Sequence, residues 1–264
     1  MPKLDRIYIE ISNICNLQCS FCPEVLRPKK VLALNDFEHI LSQAAPLANQ
    51  ICLHLMGEPL LHPEFEEILA VSQKYSAPIN LTSNGLLLEK RLPLILAAKN
   101  VRQLNISLQS FKDNFPQKDL NQYLQNIFEQ IKIISEKRSD MYINLRLWNH
   151  GVENENEDIF QSFENFFGVP VSRKFDVASI KSKKVLEKIY FHFDSRFDWP
   201  SLSLPHQGQA GTCHALETHI GIHAEGTVVP CCLDKEAQIN LGNIFEQSLE
   251  SILNSERAQK MIHG

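Results

Sequence analysis

Short runs of alternating apolar residues, each followed by an amphipathic stretch, recur through the first two thirds of this 264-residue chain. The first run predicts a strand over 6–11, with Ile7, Ile9 and Ile11 on one face. Later runs predict strands over 50–56, 78–82, 104–108 and 142–147. Because strands that alternate with helices are typical of parallel sheets, the chain is predicted to be an α/β protein.

The stretches between these strands have the apolar spacing of helices. One helix is predicted to begin at Asn35, with Glu38 in the capping-box position. Another is predicted from Pro63, a residue suited to a first helical turn. Further helices are predicted over 89–98, 118–135 and 159–167, and a sixth strand over 173–178.

Three of the seven cysteines, Cys15, Cys19 and Cys22, stand directly after the first predicted strand. An iron–sulfur cube prefers a thiolate on each iron, so three thiolates leave one iron open. An open coordination position is typical of a catalytic metal site. A zinc site is the main alternative, but it needs a fourth ligand, and the nearest histidine, His39, lies in a predicted helix. A chance cluster of core thiols is the other alternative.

The CxxxCxxC spacing, with the aromatic Phe21 before the third cysteine, resembles the signature of the radical SAM superfamily. The resemblance implies a partial (β/α)6 TIM-like barrel and a 4Fe-4S cluster held by Cys15, Cys19 and Cys22. It also implies that the open iron binds S-adenosyl-L-methionine, which is cleaved reductively to a 5′-deoxyadenosyl radical that abstracts a substrate hydrogen. Parallel barrels keep their active sites at the C-terminal ends of strands, where these cysteines stand.

Polar groups at the next strand ends continue the resemblance. Gly57, Glu58 and Pro59 match the family's GEP motif, which implies carbonyl and carboxylate contacts to the methionine amino group. Ser83 and Asn84 resemble the family's loop beside the methionine moiety. An ordinary turn is the alternative at both places.

Two further positions are predicted to line the barrel. Ser107 and Gln109 fall on alternate positions of the fourth predicted strand, so they share a face and resemble the family's ribose contacts. Arg146 is a charged residue on the fifth strand and needs a partner if it is enclosed. The carboxylate of S-adenosyl-L-methionine and a salt bridge to Glu10 or Glu58 are equal alternatives for that partner.

Three of the other cysteines lie near the end of the chain. Cys213 and the run 226–231 resemble the opening of SPASM or twitch extensions, and the resemblance implies an auxiliary 4Fe-4S cluster. Cys213 and Cys231 match ligand positions, and Cys232 is the candidate third ligand. Other candidates are Asp234, His214 and His219. Because such extensions carry more cysteines than are present here, a hairpin with buried thiols and a truncated extension are the alternatives. The segments 219–223 and 227–231 predict that hairpin, and 247–262 predicts a helix.

Together these patterns predict a barrel over 1–180, a linker over 181–211 and a SPASM- or twitch-like extension over 212–264. The net charge of −5 indicates neither nucleic acid nor membrane as a partner. The odd number of cysteines and the lack of a signal peptide at the printed N-terminus favour the reducing cytoplasm.

The predicted function is that of a radical SAM enzyme acting on a peptide, protein or small molecule, with a reductant such as flavodoxin or ferredoxin. No residue is assigned to the step on the substrate. A non-catalytic iron–sulfur protein for electron transfer or redox sensing is the alternative function, and a zinc-stabilised binding protein is a third.

Overall fold

The computed structural model describes residues 3–150, 156–173, 181–195, 199–201, 203–205, 208 and 211–263. The chain divides into two compact units. The first comprises Met1–Asn16, Pro23–Ile79 and Asp198–Gly264, and the second comprises Leu17–Cys22 and Asn80–Phe197. Among the described residues, no helix combines the length and the apolar character needed to cross a bilayer.

As far as residue 167, each strand is followed by one α-helix, except that two α-helices lie between the fourth and fifth strands. The strands are β1 (Leu4–Ile9), β2 (Ala48–Cys52), β3 (Ile79–Ser83), β4 (Val101–Ser107), β5 (Tyr142–His150), β6 (Ser182–Leu186), β7 (Ile189–Ser195), β8 (His219–Ile222), β9 (Thr227–Val229) and β10 (Gly242–Asn243). The helices are α1 (Leu34–Ala44), α2 (Phe65–Lys74), α3 (Leu88–Ala97), α4 (Gln109–Asn114), α5 (Leu120–Lys137), α6 (Glu157–Phe167), α7 (Leu249–Leu253) and α8 (Glu256–His263).

In the first unit the strand order is β10-β9-β8-β1-β2. β1 pairs in parallel with β2 on one side and with β8 on the other. Ile7 and Ile9 are fully buried, whereas Arg6 is exposed and Tyr8 half-buried, the alternation of a strand with one buried face. The amphipathic α1 buries Phe37, Ile40 and Leu41. The apolar spacing of the sequence thus accounts for both elements.

In the second unit β4 and β5 are parallel, β5 and β7 are parallel, and β6 closes the edge antiparallel to β7. The packing is aromatic around Phe191, whose ring lies 5.3 Å from Phe160 and 5.2 Å from Phe163, centre to centre. Edge-on aromatic pairs of this kind add to the burial energy of large side chains. They hold α6 against β7.

The strand and helix pattern of the first 150 residues is confirmed, although several ends differ by a few residues. The capping box of α1 is wrong. The N-cap is Ala33, whose methyl group cannot accept a hydrogen bond. Glu38 instead accepts a hydrogen bond from Lys74 Nζ at 2.5 Å, because that cation lies on the neighbouring α2.

Gln109 lies on a helix rather than on the fourth strand. β4 ends at Ser107, and Leu108 already has the helical angles φ −64° and ψ −33°, so Gln109 is the first residue of α4. Ser107 and Gln109 therefore do not share a strand face. No glycine or proline marks this change of conformation in the sequence, which is why alternation alone missed it.

The segment predicted to be a linker contains two strands. Ile189, Phe191 and Phe193 of β7 are buried and alternate with more exposed residues, so 182–195 belongs to the sheet of the second unit. The predicted sixth strand at 173–178 lies almost wholly outside the described residues. Within the described part of the chain, β5 pairs in parallel with β4 on one side and with β7 on the other.

The C-terminal segment also differs from the prediction. The hairpin is present as β8 and β9, but β8 pairs with β1 and so continues the sheet of the first unit. The single helix predicted over 247–262 is two helices, α7 and α8. The break falls at Asn254 and Ser255, and the Ser255 hydroxyl accepts a hydrogen bond from the Ala258 N–H at 3.3 Å, which starts α8.

Candidate functional site

The cysteine loop follows β1, as predicted. Cys15 belongs to the first unit, whereas Cys19 and Cys22 belong to the second. The thiols of Cys15 and Cys22 are exposed, and that of Cys19 is half-buried. A tight turn joins the last two, because the Cys22 N–H donates to the Cys19 carbonyl at 3.0 Å. Half-buried Phe21 lies inside this turn.

Helix α4 holds the part of the loop that belongs to the second unit. Asn114 Oδ1 accepts a hydrogen bond from the Gln18 N–H at 2.8 Å, and Asn114 Nδ2 donates to Cys19 Sγ at 3.1 Å. Asp113 accepts hydrogen bonds from the N–H and hydroxyl of Ser20, both at 2.5 Å. The sequence did not indicate a role for Asp113 or Asn114. No local spacing links α4 to a loop about 95 positions earlier.

The chemistry of this loop suits thiolate ligands. Hydrogen bonds from Cys22 and, secondarily, from Asn114 lower the pKa of Cys19 against the opposing effects of burial and the Asp113 charge. The thiolate is the form of cysteine that binds metal. Thiol exposure, a lowered pKa and an amide donor at the sulfur therefore fit iron–sulfur ligation.

The Gly57 turn is pressed against the segment that leads to Cys15. Gly57 has φ +76°, and a Cβ atom there would lie 2.2 Å from the Ser12 carbonyl oxygen. The next residue, Glu58, donates its N–H to the Ile14 carbonyl at 2.9 Å. Only glycine permits both the angle and the approach. Pro59 follows in a short 3₁₀ turn, Pro59–Leu61, which Glu58 caps by accepting from the Leu60 N–H.

Ser83 and Asn84 mainly shape their own turn. Ser83 Oγ accepts from the Gly85 N–H at 3.0 Å, and Asn84 Oδ1 accepts from the Leu86 N–H at 3.1 Å. These bonds are typical of Ser and Asx turns. A role of these two residues toward S-adenosyl-L-methionine stays a prediction.

Gln109 has a feature that its own surroundings do not explain. Its side chain is only 7% exposed, and its Oε1 atom has no hydrogen-bond partner among the described residues. A buried acceptor without a donor costs about 1–3 kcal/mol. A hydroxyl-bearing ligand beside α4 would supply that donor, so this residue fits a bound nucleoside. Ser107, at the end of β4, is partly exposed.

Arg146 lies on β5, in register with Ser107 of β4 and His192 of β7. Its guanidinium carbon is 4.6 Å from the centre of the Trp148 ring, a cation–π distance. The Trp148 Nε1–H donates to His192 Nδ1 at 2.9 Å, which fixes the ring. Glu10, one of the predicted partners of Arg146, forms its ion pair with Arg27 at 2.9 Å.

Two of the three C-terminal cysteines, Cys231 and Cys232, lie close together, and the third, Cys213, is not part of their group. Cys231 and Cys232 follow the end of β9, so the alternation of a strand does not apply to them. Their sulfurs and a ring nitrogen of His219 all lie within 4.8 Å of one another. Exposed Cys213 is outside this group, and its sulfur accepts from the Ala215 N–H at 3.4 Å.

Hydrogen bonds orient the imidazole of this group. Thr218 Oγ1 donates to the His214 carbonyl at 3.1 Å, so it accepts from His219 Nδ1–H at 2.9 Å. The other nitrogen, Nε2, lies 3.4 Å from Cys231 Sγ with its lone pair free for a metal. An outer hydrogen bond of this kind is usual for a metal-binding histidine. Two thiols and an imidazole nitrogen gathered this closely can ligate a metal.

Residues 9–162 match the radical SAM superfamily, and residues 213–263 match the SPASM family, an iron–sulfur cluster-binding domain. The first match covers more than half of the chain. The chain therefore belongs to the radical SAM superfamily of enzymes. Membership implies a 4Fe-4S cluster and S-adenosyl-L-methionine as cofactors, and the predictions of family and enzyme class are confirmed.

Individual relatives are more distant. A GTP 3′,8-cyclase from Microcystis aeruginosa is 32% identical over 119 residues, which are 42% of this chain and 36% of that protein. Among solved structures, SuiB from Streptococcus suis, bound to its precursor peptide SuiA, has a TM-score of 0.64 and 15% identity, over 100% of this chain and 67% of that one. BtrN in complex with AdoMet and 2-DOIA has a TM-score of 0.55 and 16% identity, over 99% and 87%. These structures confirm the fold class.

Proposed function

We propose that this protein cleaves S-adenosyl-L-methionine reductively at a 4Fe-4S cluster on Cys15, Cys19 and Cys22, and that it abstracts a hydrogen from its substrate. The observation that carries the proposal is the thiol loop held by α4, with an amide donor directed at Cys19 Sγ. When bound, the cluster and S-adenosyl-L-methionine supply the electron and the 5′-deoxyadenosyl radical. The residues of the chain bind, orient and shield them.

Each predicted cofactor contact has a defined task in this proposal. The Gly57–Pro59 turn presents carbonyl oxygens and the Glu58 carboxylate to the methionine ammonium group. Ser83 and Asn84 bind the methionine moiety. Gln109 Oε1 accepts from a ribose hydroxyl, which removes the cost of its buried acceptor. Arg146, held on the Trp148 ring, binds the carboxylate.

The substrate is proposed to be a peptide, a protein or a small molecule. SuiB is bound to a precursor peptide and BtrN to 2-DOIA, so both classes occur among proteins of this fold. The similarity to the Microcystis enzyme covers 36% of that protein, which is too little to indicate the same substrate. Flavodoxin or ferredoxin in the cytoplasm is proposed as the reductant, since both deliver single electrons at low potential.

A second metal site is proposed at His219, Cys231 and Cys232, with Cys213 as the candidate for a further ligand. If it is a second cube, reconstituted protein holds about eight irons per chain, and His219→Ala with Cys231→Ala lowers this to about four. If the group binds one zinc ion, the double variant loses zinc and keeps its iron. A double variant that keeps all the iron and zinc of the natural chain would contradict the proposed site.

The main experiment is anaerobic incubation of the reconstituted protein with dithionite and S-adenosyl-L-methionine, with 5′-deoxyadenosine as the product measured. We expect 5′-deoxyadenosine from the natural chain and none from Cys15→Ala/Cys19→Ala/Cys22→Ala. Gln109→Leu, which removes the buried acceptor, is expected to weaken the binding of S-adenosyl-L-methionine about tenfold, the equivalent of roughly 1.4 kcal/mol. If the protein holds its iron–sulfur cluster but forms no 5′-deoxyadenosine, even with cell extract as a source of substrate, a non-catalytic role in electron transfer would be favoured.

A further inference from the structure

The side chain of Asn114 joins three groups at the end of α4. Its Oδ1 accepts from the Gln18 N–H at 2.8 Å. Its Nδ2 donates to the Ser110 carbonyl at 2.8 Å and to Cys19 Sγ at 3.1 Å. All four residues belong to the second unit. The amide therefore spans from its own helix to the thiol loop.

The network fixes which way the amide faces. An asparagine side chain has one oxygen, which accepts, and one nitrogen, which donates two protons. Because the Gln18 N–H can only donate, Oδ1 must face it. Both protons of Nδ2 are then directed at acceptors, one at the Ser110 carbonyl and one at the Cys19 sulfur. A flipped amide would place two donors against each other at Gln18 and an oxygen against a thiolate.

The loop has a separate attachment beside this one. Asp113 accepts hydrogen bonds from the Ser20 N–H and hydroxyl. The loop would thus remain attached to α4 if Asn114 lost its donor. The hydrogen bond to Cys19 Sγ can therefore be removed without removing every contact that places the loop.

A proton directed at a cluster-bound sulfur has an electronic effect. Reduction adds negative charge to an iron–sulfur cluster and its thiolates, and a hydrogen-bond donor stabilises that charge. Hydrogen bonds to the sulfurs are accordingly among the factors that set the reduction potential of such clusters. The half-buried position of Cys19 limits screening by water, which strengthens the effect.

We propose that Asn114 is a positioning residue that raises the reduction potential of the N-terminal cluster by donating to Cys19 Sγ. The inference rests on the proposed function, because it requires a cluster on Cys15, Cys19 and Cys22. It adds a determinant of electron entry that the cysteine motif does not contain. Asn114 makes the cluster easier to reduce, and so lets a weaker reductant start the reaction.

The test is a redox titration of the reconstituted protein, followed by the electron paramagnetic resonance signal of the reduced cluster. Asn114→Asp keeps an acceptor for the Gln18 N–H, removes the donor and adds a negative charge. Asn114→Ala removes the donor without adding charge. The matched control is Asn126→Asp on α5, where the same change is made at a side chain that donates to Glu89 Oε2 at the surface.

We expect the midpoint potential to become more negative in Asn114→Asp, to shift less in the same direction in Asn114→Ala, and to stay at the natural value in Asn126→Asp. The midpoint is read from the fraction of cluster reduced, so partial loading does not alter it. Equal midpoints in all four proteins would overturn the inference. An equal shift in Asn126→Asp would also overturn it, because the effect would then be one of charge alone.

A second readout separates this inference from the proposed function. With a weak reductant, Asn114→Asp is expected to form 5′-deoxyadenosine more slowly than the natural chain, and with a stronger one the difference should shrink. A constant ratio for both reductants would contradict a role in electron entry. Natural protein that binds no iron–sulfur cluster would instead refute the proposed function, and this is known before any variant is compared.

Discussion

The two groups of cysteines in this chain differ in their exposure and in the contacts that hold them. Cys19 and Cys22 lie in a turn that hydrogen bonds hold to α4, and their thiols are partly or fully exposed. Cys231 and Cys232 are adjacent, half-buried and within 4.8 Å of a His219 nitrogen. Hydrogen bonds to a helix hold the first group, whereas an imidazole nitrogen accompanies the second. Spacing along the chain therefore indicates a metal site, but tertiary contacts decide which other side chains surround it.

Removal of one thiol from the N-terminal loop is expected to have the largest effect. Cys22→Ala is expected to reduce 5′-deoxyadenosine formation to the background rate, because the cube loses one of its three thiolates. The iron content and the visible absorbance of anaerobic protein should fall with it. The control is Cys52→Ala, a buried core position outside both groups, which should keep its cluster. Equal loss in both variants would show that folding, not ligation, was lost.

In the first unit, ion pairs of Arg27 link Glu10 to the turn between β8 and β9. Arg27 pairs with fully buried Glu10 at 2.9 Å and with Glu225, in the turn between β8 and β9, at 2.7 Å. Arg27→Met leaves Glu10 buried without its cation and is expected to lower the free energy of unfolding by about 3–5 kcal/mol. Urea unfolding measures this. Lys74→Met, which breaks the surface pair with Glu38, should change stability little, and a similar loss there would contradict the role of burial.

The Gly57 turn offers a smaller effect with a close control. Gly57 and Gly168 both have positive φ, but a Cβ would collide with the Ser12 carbonyl oxygen at the first and meet nothing within 4 Å at the second. Gly168→Ala is expected to cost about 1–3 kcal/mol from backbone strain alone. Gly57→Ala should cost more, and it alone should weaken S-adenosyl-L-methionine binding. Thermal unfolding measures the loss of stability, and equilibrium binding measures the affinity for S-adenosyl-L-methionine. Equal effects of Gly57→Ala and Gly168→Ala would contradict the close approach of Gly57 to the Ser12 carbonyl.

The smallest expected effect is on the pH dependence of stability. Burial alone would raise the pKa of Glu225, but nearby His223, whose Nδ1 lies 3.7 Å from Glu225 Oε1, and the hydrogen bonds from Arg27 outweigh it and lower the pKa to about 2. Because the folded pKa lies below the ordinary value of 4.5, Glu225 stabilises the fold above about pH 4.5 and loses that contribution as the pH falls toward 2. Glu225→Gln should flatten the unfolding free energy across this range. An unchanged slope would contradict the pairing.

Much of the architecture could be predicted from periodicity, because the buried faces of β1, α1 and α5 repeat at the spacing of their element. The strand β7 could not. Charged and aromatic residues surround its buried Ile189, Phe191 and Phe193, and they gave the segment the composition of a linker. Burial of those three positions depends on β5 and α6, which sequence spacing does not reveal.

The candidate site divides in the same way. Cys15, Cys19, Cys22 and the Gly57 turn could be predicted because each is a short motif with a fixed local geometry. Thr218 could not, since its bond to the adjacent His219 matters only once the fold brings that imidazole beside Cys231. Asn114 could not, since its amide donates to a cysteine that only the fold brings near it. For Asn114 that residue lies 95 positions away.

The parallel pairing of β1 with both β2 and β8 affects how the protein is made. One edge of β1 is satisfied early, when β2 leaves the ribosome. Its other edge waits for β8, and the Ala224 N–H that donates to Glu10 comes 214 positions later. At synthesis rates of about 5–20 residues per second, this open strand persists for roughly ten seconds or more. During biosynthesis the strand that carries the metal loop is thus an exposed edge, the kind of surface that chaperones protect from aggregation.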